Sequence, residues 1–214
     1  MRKFFGPMGS VSRLSVDSQA LRSNMLGDPS VRVVDVYLPA GHDGQGLPLL
    51  VDLVGFTGSG LSHTNWVGFR ENLPERLDRL IGEQRMPPVV VAFPDCFTRL
   101  GGNQYINSAS TGAWEDYLLD EMLPTIERRY GCGGPGRRGV FGKSSGGYGA
   151  LTHALRHSDF GRPRPVTLAI WDLSCAICPT CRPCCALSLG ARTPSSAGGS
   201  SSREPASIQM GPGR

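Results

Sequence analysis

Two near-continuous apolar runs, residues 49–54 and 89–93, stand out in a chain whose other segments mix polar and apolar positions. Runs of this length, bounded by Pro and Gly, suit strands buried on both faces. Residues 31–38 alternate enough to predict a partly exposed strand stopped by Pro39. Residues 72–84 place Leu73, Leu77, Leu80 and Ile81 on one helical face, with Pro74 in the first turn, where a missing N–H costs little. Residues 114–130 predict the longest helix, ended by Gly131 and kinked or broken at Pro124. A short strand over 138–141 then leads into a helix from Ser145 to about His157. Residues 1–30 are polar and read as irregular. Strands alternating with helices imply βαβ units and a mostly parallel sheet, with the site at the carboxyl ends of the strands. Three loops leave those ends: residues 55–60, residues 94–111 and the turn at Ser144.

That turn carries the chemistry. Gly142-Lys143-Ser144-Ser145-Gly146 fits G-x-S-x-G, the strand-to-helix turn that lifts a nucleophilic serine above a sheet. The flanking glycines are needed because a side chain there collides with the adjoining strand or helix. A phosphate-binding reading of Gly142-Lys143-Ser144 fails, because G-x-x-x-x-G-K-[ST] needs glycine at 137 and the chain has Arg137.

Charge and cysteine content both divide the chain near residue 160. The net charge of +4 comes from residues 161–214, which hold six arginines against one Asp and one Glu, so the first 160 residues are neutral overall. That balance points away from nucleic acid as a partner. Only Cys96 and Cys132 lie in the first part, which suits a reducing compartment. No run approaches the roughly 20 apolar residues of a membrane span, and the start lacks the apolar stretch of a secretion signal. A cytoplasmic location with no membrane partner follows as the expectation, and oligomeric state is not readable.

The order Val36-Tyr37-Leu38-Pro39, the glycine loop after Val54, Phe93-Pro94-Asp95, Trp114–Leu119 and Gly142–Ala150 resembles the Putative esterase family of α/β-hydrolases, over about residues 18–160. This group includes esterase D-like and enterochelin-esterase-like enzymes and the related mycolyltransferases. The resemblance implies a serine hydrolase acting on a small-molecule ester or thioester, with no cofactor and no metal. Ser144 would attack the acyl carbon to form an acyl-enzyme. The backbone N–H groups of Ser145 and Phe56 would form the oxyanion hole, each worth roughly 3–4 kcal/mol to the transition state. Many members have His-Gly where this chain has Val54-Gly55, but a backbone donor does not need that histidine. Asp95 and Trp114 are candidates for the pocket, with loop capping and core packing as their alternatives. Glu115 and Asp116 suit a helix N-terminus. The alternatives to an esterase are a non-catalytic binding protein on the same fold, or an acyltransferase of the same family.

A serine nucleophile needs a base and an orienting acid, which in this fold follow it in the order Asp or Glu, then His. After Ser144 the only histidines are His153 and His157, on the helix that leads away from it, and the later carboxylates are Asp159, Asp172 and Glu204. The expected outcome is a C-terminally truncated hydrolase domain over 1–160, impaired in catalysis, followed by an atypical, disordered tail over 161–214. The tail's Cys175, Cys178, Cys181 and Cys184 approach the spacing of an iron–sulfur run, but the last interval is one residue short. A change of reading frame near Phe160 explains the tail better. Codons compatible with residues 161–182, read one nucleotide earlier, permit a small-residue strand followed by a His-Ser-Gly-Asp segment and further acids.

Overall fold

The computed structural model describes residues 6–157. The expected tail, and with it the iron–sulfur spacing and the reading-frame change, lies outside the described residues.

Five strands form one sheet in the order β1-β2-β4-β3-β7, where β1 is Ser10–Asp17, β2 Val31–Leu38, β3 Leu49–Leu53, β4 Val90–Pro94 and β7 Arg138–Gly142. β3 pairs parallel with β4 and β7, whereas β2 pairs antiparallel with both β1 and β4. Four strands therefore point one way and β2 alone opposes them, which agrees with the mostly parallel expectation. The apolar runs occupy the middle of the sheet, and every residue of β4 is buried. β2 is buried along most of its length rather than partly exposed, because β1 and β4 flank it.

β1 is the element that the polar reading of residues 1–30 misses. Its Val11, Leu14 and Val16 sit among serines and charges, and most of its positions are not buried. Edge strands tolerate such composition because one side faces solvent.

Helices cover both faces. α2 (Leu73–Gly82) packs Leu77 against Tyr37, Val91, Phe93 and Phe141 on one face. Asn72 caps it through the Glu75 N–H while the Glu75 side chain accepts from the Asn72 N–H, a reciprocal box with Pro74 in the first turn. The other face carries α3 (Trp114–Asp116), a π-helical stretch (Tyr117–Met122), α4 (Leu123–Tyr130) and α5 (Ser145–Arg156). Val51, Leu53, Val140, Leu118, Met122, Ile126 and Ala150 form the core there. The break expected at Pro124 is this π-helical stretch: the proline stands in the first turn of α4 and offers no N–H to the carbonyl four residues earlier. Gly131, left-handed at φ 59°, ends α4. Two short elements in loops were not foreseen, α1 (Leu61–Thr64) and a hairpin of β5 (Asn107–Ser108) with β6 (Gly112–Ala113).

Candidate active site

β3 lies between β4 and β7, so the loops leaving these three strands are neighbours before any side chain is considered. Hydrogen bonds then tie them together. The Gly102 N–H donates to the Phe56 carbonyl at 2.5 Å, the Gly60 N–H to the Pro94 carbonyl at 3.1 Å, and the Tyr105 hydroxyl to the Val54 carbonyl at 2.7 Å. The third loop is the turn itself, and a Cβ built on Gly55 would lie 3.7 Å from Ser144 Cβ. The convergence expected from topology is present.

Ser144 has φ 56° and ψ −119°, a conformation that L-residues other than glycine rarely adopt. It persists because the turn leaves no alternative. A Cβ on Gly142 would stand 2.3 Å from the Leu53 carbonyl oxygen, and one on Gly146 only 1.8 Å from it. The two glycines let β7 and α5 close on the end of β3, and the chain reverses with Ser144 exposed at the tip. The Ser145 N–H stands in the first turn of α5, where N–H groups have no intrahelical acceptor. Phe56 uses its carbonyl on Gly102, and its N–H has no backbone acceptor among the described residues. Beside Phe56 a groove of about 250 Å³ is lined also by Leu100, Gly102, Gln104, Ile106 and Thr111. Its walls carry no charged side chain.

Asp95 serves the loops. One carboxylate oxygen accepts from Ser59 Oγ at 2.8 Å and the Phe97 N–H at 3.2 Å, and the other pairs with Arg32 at 3.2 Å. Arg32 is buried, donates also to the Asp95 and Phe97 carbonyls, and lies over the Trp114 ring at 5.1 Å from its centroid. Trp114 is core, 1% exposed, with its indole N–H on the Thr111 carbonyl. Neither residue lines the groove. Glu115 departs from the helix-end reading. Asn107 caps α3 through the Glu115 and Asp116 N–H groups, and the Glu115 carboxylate reaches α5 instead, bonding Arg156 and His157.

All four histidines are within the described residues, and none of them hydrogen-bonds Ser144. His42 follows β2, which ends beside the start of β4 and so at the opposite end of the strands from the Ser144 turn, because Val34 rather than Leu38 meets Pro94. His153 bonds the Tyr105 carbonyl and His157 bonds Glu115. His63 of α1 bonds the buried Asp52 through Nδ1. Asp52 shares its sheet face with Leu50, opposite to Val51 and Leu53, which face the core beneath α5. Burial pushes the Asp52 carboxyl up, and the hydrogen bond to Asp52 raises His63, so the pair holds a proton tightly. A single aspartate inside the apolar run 49–54 was the signal for this pair, since a buried carboxylate requires a partner. Cys96 is no rival nucleophile: it is buried, and burial pushes its thiol far up.

The sequence matches the Putative esterase family over residues 24–162, well over half of the chain. The chain belongs to this family. No curated protein shows significant sequence similarity to it. Solved structures with the same fold include a ferulic acid esterase, 24% identical with a TM-score of 0.60 over 72% of this chain and 57% of that one. An S-formylglutathione hydrolase from Agrobacterium tumefaciens is 20% identical, with a TM-score of 0.52 over 73% and 56%. The enterobactin esterase from Shigella flexneri is also 20% identical, with a TM-score of 0.53 over 72% and 35%. The chain thus spans little more than half the length of the first two. The esterase membership expected from the ordered motifs holds, as does the α/β-hydrolase-like fold.

Proposed function

We propose that Ser144 is the nucleophile of a serine carboxylic-ester hydrolase that works through an acyl-enzyme. The observation that carries this reading is the left-handed Ser144 between two glycines that cannot bear a Cβ. Ser144 Oγ bonds to the acyl carbon, the Ser145 and Phe56 N–H groups receive the developing oxyanion, and the alcohol or thiol leaves. Water then releases the acid. The uncharged groove beside Phe56 supports a neutral acyl or alcohol portion over an anionic one. This accords with a small-molecule ester or thioester as substrate. Among the described residues no helix is long and apolar enough to cross a membrane.

The hydroxyl proton needs an acceptor, and no described histidine is hydrogen-bonded to Ser144. In the chain as written the proton passes to solvent, and catalysis is impaired. The family match ends at residue 162, which supports a change of reading frame near Phe160 as the cause. Hydrolysis of p-nitrophenyl acetate by the chain as written and by a chain read in the alternative frame after codon 160 tests this. The expected result is a gain in kcat/KM of at least about 100-fold in the second chain, the usual contribution of general-base catalysis, and its loss in Ser144→Ala. Equal rates in all three chains would overturn the proposal.

A further inference from the structure

A second cluster of donor side chains lies at the far end of α5 from Ser144. His153 and His157 are four residues apart, so they share one face of the helix. Glu115 meets that face from α3, its Oε1 2.6 Å from His157 Nε2. One ligand atom from each of the three residues lies within 4.8 Å of the others. We propose that Glu115, His153 and His157 bind a divalent transition-metal ion of the Zn²⁺ class, at a site separate from the Ser144 turn.

Three features of the cluster fit a metal better than a plain ion-pair network. First, the donor set is two imidazoles and one carboxylate, which suits Zn²⁺ with water in the fourth position. Second, His153 Nε2 lies 2.7 Å from the Tyr105 carbonyl, which can only accept, so that nitrogen carries a proton and Nδ1 is the one that would meet a metal. A metal-bound histidine whose second nitrogen donates to a backbone carbonyl has its ring orientation and tautomer fixed in this way. Third, Glu115 and His153 are buried whereas His157 is partly exposed, so the cluster is walled on one side and open to ion entry on the other.

Zn²⁺ ligand atoms about 2.0–2.2 Å from the metal sit about 3.4 Å apart in a tetrahedron, so side-chain rotations would open the 2.6 Å His157–Glu115 contact and draw in the donors that lie within 4.8 Å. The competitor is Arg156, whose Nη1 donates to the other Glu115 oxygen at 3.0 Å. Its side chain is 55% exposed and can turn to solvent when a dication arrives. Bound metal would clamp the C-terminal end of the nucleophile helix to α3 and to the loop carrying Tyr105, whose hydroxyl holds the Val54 carbonyl beside the oxyanion loop.

The test uses the full chain with Cys175, Cys178, Cys181, Cys184 and Cys185 changed to serine, so that tail thiolates cannot bind the probe. After chelator treatment, calorimetric titration with Zn²⁺ is expected to show one ion per chain and a raised Tm. Co²⁺ is expected to give the intense visible bands of a tetrahedral site. His157→Gln and Glu115→Gln, each checked for folding by circular dichroism in chelator, are expected to weaken Zn²⁺ binding at least tenfold. Arg156→Ala is expected to tighten it several-fold, since it removes the competing cation, whereas in a plain ion-pair cluster it only loses an interaction. No saturable binding, binding indifferent to His157→Gln and Glu115→Gln, or binding weakened by Arg156→Ala would each overturn the site.

Discussion

Gly146→Ala isolates the packing that creates the turn. In most helices this exchange stabilises by about 1 kcal/mol, because alanine loses less backbone freedom. Here the new Cβ would sit 1.8 Å from the Leu53 carbonyl oxygen, 2.4 Å from its carbon and 2.7 Å from the Val54 oxygen, against ordinary contacts of 3.4–4 Å. All three are backbone atoms at the end of β3, where Leu53 is in register with Gly142 of β7. Relief requires α5 or the β3–β7 pair to shift by well over 1 Å, and neither has a rotamer to adjust. Overpacking usually costs about 1–3 kcal/mol, and a clash with fixed backbone belongs at or above the top of that range, a large part of a total stability of about 5–15 kcal/mol. Gly27→Ala is the control: no atom lies within 4 Å of its Cβ, so only the left-handed φ of 64° opposes it, at about 1–2 kcal/mol. Urea unfolding of the full chain at constant m reads the difference. A Gly146→Ala chain as stable as the wild type, or more stable than Gly27→Ala, would refute the close approach on which the strained serine depends.

Three further outcomes follow from the site's supports. The folded state binds the His63 proton more tightly than the unfolded chain does, so that contribution is full below about pH 6.5 and fades as pH rises through the raised folded value. His153 is lowered by burial, so its contribution is full above about pH 6.5 and fades as pH falls. Thermal scans across pH are expected to show a maximum between the two limbs, with His63→Gln flattening only the alkaline limb; an unchanged limb would break the link to Asp52. Arg32→Met strips a buried partner from Asp95 and two carbonyls and is expected to cost about 3–5 kcal/mol in urea unfolding; a loss below 1 kcal/mol would deny it that role. Tyr105→Phe leaves the Val54 carbonyl without its hydroxyl donor and is expected to cost about 1–3 kcal/mol by the same assay; no loss would mean that water replaces it.

What could be read from residue order alone depends on how local the physics is. Residues 49–54 and 89–93 announced β3 and β4 because a strand buried on both faces has to be apolar throughout. The G-x-S-x-G turn was legible for the same reason, since its glycines answer to atoms on the adjoining strand and helix. β1 was not, because an edge strand with mixed composition owes its order to β2 beside it. Asp95 and Trp114 looked like pocket residues because their motif positions say nothing about direction. In the structure Arg32, far away in sequence, draws both into the loop support. Glu115 shows the same limit: α3 alone suggests a helix-end carboxylate, and only the packing of α5 brings His153 and His157 to it.

The central claim, that Ser144 is an esterase nucleophile, is tested most directly by intact-protein mass spectrometry after incubation with a fluorophosphonate. The account predicts a single adduct that forms slowly in the chain as written, maps to the peptide containing Ser144, and is absent from Ser144→Ala. An adduct that persists in Ser144→Ala, or no adduct at saturating probe, would contradict it.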